Sequence, residues 1–253
     1  MVDKTVAICQ PTFLAWAGWF DLSDQVDLLV ILDDVGFSKQ SWQQRNRVRT
    51  ATGLTYVTVP VISAGRLGQR IIDVEFADTR FITKITRTIS QSYSHARYYS
   101  LYFPEFCAVL NESAASGRLA ELNFGLIKWI SGFLGITTPR VRSSTLDVGG
   151  RRGQYVAGLC EKVGASRYIS PPGAADYLIE DRMEFEDRSI SIALQVYEHP
   201  TYRQCFEPFL PYASVLDLLL NEGEAAGSIL RSGRRPPRSL VYANGGEANI
   251  HAT

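Results

Sequence analysis

Arginine, carboxylate and indole side chains crowd into one stretch of this chain, residues 6–60, in a pattern suited to binding and acid/base work. Arg45, Asn46, Arg47 and Arg49 are the strongest anion-binding candidates, because guanidinium forks grip phosphate or carboxylate through two parallel hydrogen bonds. On an extended segment Arg45, Arg47 and Arg49 share one face and Asn46 takes the other, although a solvated strand would look the same. Asp33 and Asp34 close the apolar run at residues 28–32. Two adjacent carboxylates can hold Mg²⁺, position a donor group or act as general base; they can also simply cap the next turn. Trp16, Trp19, Phe37 and Trp42 could stack on a sugar, a nucleobase or a pantetheine arm, or fill the core.

Three further positions carry chemistry. His199 follows a strand-like segment within His199-Pro200-x-Tyr202-x-Gln204, where it would exchange a proton near neutral pH or tie its loop. Cys9 ends the first apolar run beside Gln10, a place suited to a reactive thiolate and equally to a buried thiol. Asp217 and Asn221 lie one helical turn apart on a shared face, where they either reach a ligand or tether the closing helix. There is no GxSxG, P-loop or GxGxxG, which argues against the usual hydrolases, P-loop kinases and dinucleotide enzymes.

The elements that must position these groups can be read from periodicity. Residues 5–9 and 28–32 are short apolar runs of the buried-strand type, with a short helix expected over 16–26. Residues 54–61 read as a third strand and 71–76 as a fourth. From about 78 to 135 the period changes to that of amphipathic helices, stopping at Gly135. Strand-like segments at 141–146, 166–170 and 189–197 then alternate with helical ones at 154–163, 176–180 and 210–220, the last stopped near Gly223. This alternation favours an α/β, Rossmann-like, doubly wound and mostly parallel sheet in one domain, residues 1–230, with a helical layer at about 78–135. Residues 231–253, opening with Gly233-Arg234-Arg235-Pro236-Pro237-Arg238 and passing through Gly245-Gly246, read as a disordered tail dispensable for folding.

Bulk composition narrows the function classes. The 253 residues hold 26 Lys+Arg and 26 Asp+Glu, so the formal net charge is zero and a general DNA binder is not expected. The four cysteines have no CxxC spacing and read as buried free thiols of a reduced cytoplasm, with no metal site written. No apolar stretch approaches the roughly 20 residues that span a bilayer, and Gln10-Pro11 cuts off any signal-peptide core, so a soluble cytoplasmic protein without membrane insertion is expected.

Taken in order, these residues resemble the WbqC-like family. The likeness rests on Gln10-Pro11, Trp16-x-Gly18-Trp19-Phe20-Asp21, Leu32-Asp33-Asp34-Val35-x-Phe37-Ser38-Lys39, Ser41-Trp42-Gln43-x-Arg45-Asn46-Arg47 and Thr58-Val59-Pro60. It continues through Arg142-Ser143-Ser144, Gly164-Ala165-x-x-Tyr168-Ile169-Ser170, Gly173, Tyr177-Leu178 and His199-Pro200-x-Tyr202-x-Gln204. It closes with Phe209, Pro211 and Ser214-Val215-Leu216-Asp217-Leu218-Leu219-x-Asn221-x-Gly223, leaving only the tail outside; Ala15 stands where proline is usual. The resemblance implies a role in O-antigen, polysaccharide or natural-product biosynthesis. It supplies no catalytic assignment; the chemistry of the residues makes Asp33, Asp34, His199 and Cys9 the catalytic candidates. Gln10, Trp16, Gly18, Trp19, Ser38, Trp42, Arg45, Asn46 and Arg47 become substrate-binding candidates, with Tyr168, Ser170, Tyr177, Tyr202, Asp217 and Asn221.

The first strand, loop and helix also resemble nucleotidyltransferases related to class I synthetases, but Trp16 and Trp19 occupy the two histidine positions of their HxGH motif. The leading expectation is a biosynthetic transferase moving an acyl or aminoacyl group, carrier-bound or free, onto an amine such as that of a sugar. An enzyme using Mg-NTP and a non-catalytic binding subunit are the alternatives, and the sequence names no cofactor. Asp33, Asn46 and Arg47 are expected to converge on one pocket at the ends of the first two strands.

Overall fold

Residues 3–242 and 248–251 are described by the structure, a computed structural model of the chain. Strand β1 (Thr5–Cys9) lies at its centre and is buried on both faces. Ala7 and Cys9 enter one core and Val6 and Ile8 the other, which is why the run is continuously apolar instead of alternating. Helix α1 (Ala17–Asp24) crosses to β2 (Leu28–Ile31), which pairs in parallel with β1 from Val6 opposite Leu28 to Cys9 opposite Ile31.

The chain then leaves the sheet. β3 (Arg45–Thr50) and β4 (Gly53–Thr58) form an antiparallel hairpin of their own. The third strand expected at 54–61 is present as β4 but lies outside the main sheet: it exposes Thr55, Tyr56 and Thr58, a pattern unsuited to a strand covered on both faces. Residues 71–76 are not a strand either. They hold one turn of 3₁₀ helix (Ile71–Asp73) and isolated bridges, with Asp73 paired outward to Arg70 at 2.8 Å. The helical layer follows as expected: α2 (Arg80–Tyr93), α3 (Tyr99–Ala114) and α4 (Leu119–Leu134), ended by Gly135 in the left-handed conformation at φ 67°.

β5 (Arg140–Arg142) pairs with β2 and gives way after three residues to a 3₁₀ turn, shorter than the strand expected at 141–146. Helix α5 (Arg152–Lys162) leads to β6 (Arg167–Ser170) on the other side of β1, and α6 (Ala175–Glu180) with α7 (Met183–Glu186) leads to β7 (Ser191–Tyr197). Closing helix α8 (Val215–Glu222) starts five residues later than expected, where the Ser214 hydroxyl accepts the Leu216 N–H as an N-cap. Gly223, at φ 55°, ends it, and α9 (Ala226–Ser232) follows.

The disordered tail is the largest correction. β8 (Arg234–Tyr242) runs antiparallel to β7, and β9 (Ala248–His251) pairs with β8; Gly245 and Gly246 lie outside the described residues. Pro236 and Pro237 masked this strand, because proline has no N–H for a ladder. The register shifts between Leu194 and Val196, a bulge opposite the two prolines. Arg234 meets the fully buried Asp21 at 2.8 Å and Asp24 at 2.5 Å, and Arg231 meets Asp24 at 2.8 Å, so the segment is bolted to α1.

The sheet order is β5-β2-β1-β6-β7-β8-β9 among the described residues. With the hairpin set aside, the five parallel strands come third, second, first, fourth, fifth, the doubly wound order. Helices α1–α4, α8 and α9 cover one face, and α5–α7 the other. The winding reverses between β1 and β6.

Candidate substrate crevice

Beyond the carboxyl ends of β1 and β6, where the winding reverses, the two outgoing chains diverge and leave a cavity of roughly 520 Å³. Gln10 and Gln43 line one side, Tyr168 and Tyr177 the other, with Trp19 and Trp42 as a wall. β1 stops at Gln10-Pro11, and the turn beyond is locked by main-chain contacts: Phe13 donates to the Trp42 carbonyl at 3.0 Å, and Val215 donates to the Ala15 carbonyl at 2.9 Å. The Trp19 indole N–H donates to the Gln10 carbonyl at 3.3 Å. Gln43 bridges the strand end to the following loop, donating to Gln10 Oε1 at 2.8 Å and accepting from the Ser38 N–H at 3.1 Å. Asn123 of α4, wholly buried, donates to the carbonyls of Pro11 (2.9 Å) and Gln43 (2.8 Å) and ties both loops together.

A second cavity of roughly 350 Å³ adjoins the first and shares Thr12, Trp19 and Trp42 with it. Its other walls are Trp16, Asn46, Arg47 and Tyr212. Gly18 is the second residue of α1, beneath Trp16; a Cβ there would fall 2.3 Å from the indole, so glycine is what lets the ring lie on the helix. Asn46 donates to the Phe13 carbonyl at 3.0 Å and accepts the Arg47 N–H at 2.8 Å, fixing the hairpin to the first loop. The Arg47 guanidinium stands 5.4 Å over the Trp42 ring and reaches the Tyr212 carbonyl at 3.4 Å. Its buried Nε has no hydrogen-bond partner, and no carboxylate pairs with it among the described residues.

Several expected site residues lie elsewhere. Asp33 is fully buried and accepts hydrogen bonds from the Ser144 N–H at 3.1 Å and the Ser144 hydroxyl at 3.0 Å, with Ser143 Oγ at 3.2 Å. Asp34 has Ser143 Oγ at 2.5 Å and accepts the Tyr155 hydroxyl at 2.6 Å. Both carboxylates fasten the end of β2 to the turn after β5 and to α5, because β5 covers that edge one strand out from the reversal. The expected convergence of Asp33 with Asn46 and Arg47 therefore fails; only Asn46 and Arg47 share a cavity. Cys9 borders the crevice, but burial pushes its thiol up to about 12, so it is no thiolate at neutral pH and the expected nucleophile is withdrawn.

His199 stands behind the wall, stacked on Trp16 (ring centroids 6.2 Å apart, 17° between planes) and edge-on to Tyr212 at 5.3 Å. Its Nδ1 lies 2.9 Å from the Pro200 carbonyl, which can only accept, so Nδ1 carries the proton; burial lowers the pKa and keeps the ring neutral. It supports Trp16 and does not line either cavity.

Tyr202, Asp217 and Asn221 form a tether and are corrected as substrate contacts. The Tyr202 hydroxyl donates to buried Asp217 at 2.6 Å, Gln204 donates to the same oxygen at 2.9 Å, and Cys205 Sγ meets Asn221 Oδ1 at 3.3 Å. Burial raises the Asp217 carboxyl above its ordinary range. Of the three arginines on one hairpin face, Arg49 is 2% exposed and donates to the carbonyls of Thr50, Phe206 and Pro208. Arg45 lies over Tyr56 at 4.4 Å, outside both cavities. Ser38 is exposed and outside them as well, Phe37 packs against the core, and Ser170 is buried below the floor, 3.3 Å from the Tyr168 hydroxyl.

Gln10, Trp16, Trp19, Trp42, Asn46, Arg47, Tyr168 and Tyr177 thus stand together, with Gly18 beneath Trp16. Asn123, Thr12 and Tyr212 were missed. An asparagine inside the apolar stripe of α4 was the available signal for the first, since an amide buried there must be hydrogen-bonded. A depression of roughly 800 Å³ between α3 and α4 is larger, but Glu105, Glu112 and Lys128 rim it and no strand end opens into it.

Comparison with known sequences gives this frame its kin. The profile of the WbqC-like protein family matches residues 10–229. The chain belongs to the WbqC-like protein family. It is also similar to the uncharacterized protein Rv1507c of Mycobacterium tuberculosis, with 33% identity over 229 residues, 90% of this chain and 98% of that protein. No solved structure matches it. The family match begins at Gln10, on the crevice rim, and runs into α9. It takes in every crevice residue named above except those of β1, and stops before β8. Among the described residues, no helix is long and apolar enough to cross a membrane.

Proposed function

We propose that the chain is a transferase of polysaccharide or natural-product assembly that moves an acyl or aminoacyl group onto an amine by holding donor and acceptor together in the crevice. The observation that carries this is the joined pair of cavities at the reversal point, with an anion-seeking guanidinium in one and a neutral, amide- and phenol-lined floor in the other. Such a site supplies alignment, which by itself is worth several powers of ten in rate. Aminolysis of a thioester needs little more. The amine lone pair forms the C–N bond, the C–S bond breaks with its electron pair leaving on sulfur, and the amine proton passes to that thiolate or to water. A covalent acyl-enzyme is not part of the reading, in keeping with the high pKa of Cys9.

Nucleotidyl transfer is less well supported. It would ask Asp33 and Asp34 to hold Mg²⁺, yet their oxygens already accept from Ser143, Ser144 and Tyr155. The test is to incubate the protein with acylated or aminoacylated carrier and an amino sugar and follow amide formation by mass spectrometry. Amide that depends on the protein supports the proposal. Absence of amide across a panel of loaded carriers and thioesters overturns it.

A further inference from the structure

We infer that the two cavities are one subsite for a phosphopantetheine arm, with the phosphate at Arg47, the amide-bearing arm between Trp42 and Trp19, and the thioester end on the Tyr168 and Tyr177 floor. This rests on the transferase reading and names its donor. The polarity of the site is the argument. Among the described residues, cationic character is confined to the outer cavity, where Arg47 is the one charged lining residue. Its guanidinium is pinned over the indole of Trp42 at 5.4 Å and makes only a 3.4 Å contact to a carbonyl, so its fork faces the cavity without a carboxylate to satisfy it. A single guanidinium matches a single phosphodiester. The diphosphate of a nucleotide-sugar would call for more cationic partners than the outer cavity offers.

Inward, among the described residues, no charged side chain lines the larger cavity. Its polar groups are the carboxamides of Gln10 and Gln43, the Ser41 hydroxyl and the phenols of Tyr168 and Tyr177. Such groups exchange hydrogen bonds with uncharged amides, and the pantetheine arm carries two of these along an otherwise aliphatic chain. The Gln43 carboxamide is held in place by donating to Gln10 Oε1 and accepting the Ser38 N–H. The inner end closes on Ile8 and Cys9 at the strand edge, an apolar stop suited to an acyl group. Trp19 and Trp42 flank both cavities, so an extended arm passes between them without leaving protein contact.

Tryptophan fluorescence titrations decide the matter. 4′-Phosphopantetheine should quench Trp42 and Trp19, and pantetheine without the phosphate should bind at least about tenfold more weakly, the worth of a lost charge-assisted bond. Arg47→Lys should weaken phosphopantetheine by a similar factor and leave pantetheine unchanged, whereas Trp42→Ala should weaken both. Circular dichroism confirms the fold of each variant. Coenzyme A carries the same arm on a diphosphate and a holo-carrier protein carries it on a single phosphodiester, so the tighter binder identifies its source, and one guanidinium favours the carrier. Equal affinity for the two small ligands, or no binding of either, overturns the subsite. Amide formation whose KM is insensitive to Arg47→Lys removes the subsite and leaves the transferase standing. Phosphopantetheine binding with no amide from any loaded carrier keeps the subsite and removes the transferase.

Discussion

Arg47 and Arg49 are two residues apart on one face of one strand, yet their environments assign them opposite work. Arg49 is committed to the carbonyl of its neighbour Thr50 and to those of Phe206 and Pro208 in the loop that covers it, and Arg47 lines a cavity with its fork open. Sequence alone grouped them, because alternation tells which residues share a face and not which part of the face a later loop will cover. Gly18 makes a second residue-scale test. In Gly18→Ala the new Cβ would press into the Trp16 indole, so the ring must leave the cavity wall. The fold should persist while ligand affinity falls several-fold; unchanged affinity with an unchanged Trp16 environment by fluorescence would show that the ring is not part of the wall. His199 supplies a pH prediction. Its folded pKa lies below the ordinary 6.5, so in that window the unfolded chain binds a proton that the folded chain refuses. The contribution to stability is therefore complete above about pH 6.5 and is lost as pH falls through the window. His199→Phe should flatten this dependence: its melting temperature should drop less than the wild type's between about pH 7.5 and pH 5.5, and an equal drop would contradict the assignment.

At the scale of elements, β2 and α8 are held by polar welds that the sequence presented as catalytic and substrate-binding candidates respectively. Asp33→Ala would strand the Ser144 N–H and hydroxyl in a buried site, which costs about 2–3 kcal/mol. Activity per folded molecule should stay near wild type, and denaturant melts paired with specific activity check this. A variant as stable as wild type but inactive would restore Asp33 to the chemistry. The expected order of strands and helices was legible wherever an apolar run was covered on both faces or carried a helical period, as in β1, β2, α2 and α4. It was not legible where the partner decides the outcome. Residues 54–58 read as a strand and are one, but only pairing shows that they belong to a hairpin outside the sheet. The two consecutive aspartates ended a strand as expected, yet their target lay in Ser143 and Ser144, more than 100 residues on, a contact no local pattern announces.

Across the whole molecule, the doubly wound order puts the reversal point between β1 and β6, and the crevice opens there. The sequence pointed to this region because Gln10, Trp16, Trp19, Trp42, Asn46 and Arg47 cluster early in the chain. It named the wrong second strand, β2 in place of β6, because strand order is a property of the completed sheet. The closing antiparallel strand was hidden by two prolines and three arginines, although those arginines include the partner of buried Asp21. A chain ending at Ser232 loses β8 and leaves Asp21 without Arg234. Breaking such a pair costs about 3 kcal/mol or more, so soluble yield and melting temperature should fall sharply. A truncated protein melting within a few degrees of the full chain would show that β8 adds nothing to the fold.

The central claim is that the crevice beyond β1 and β6 is where the substrate lies. A crystal structure of the protein soaked with phosphopantetheine, or with a carrier bearing a non-hydrolysable acyl arm, tests this most directly. The phosphate should lie within hydrogen-bonding distance of the Arg47 guanidinium, with the arm between Trp42 and Trp19 and its end beside Tyr168 and Tyr177. A ligand seated instead against Asp33 and Asp34, or in the acidic depression between α3 and α4, would contradict the claim.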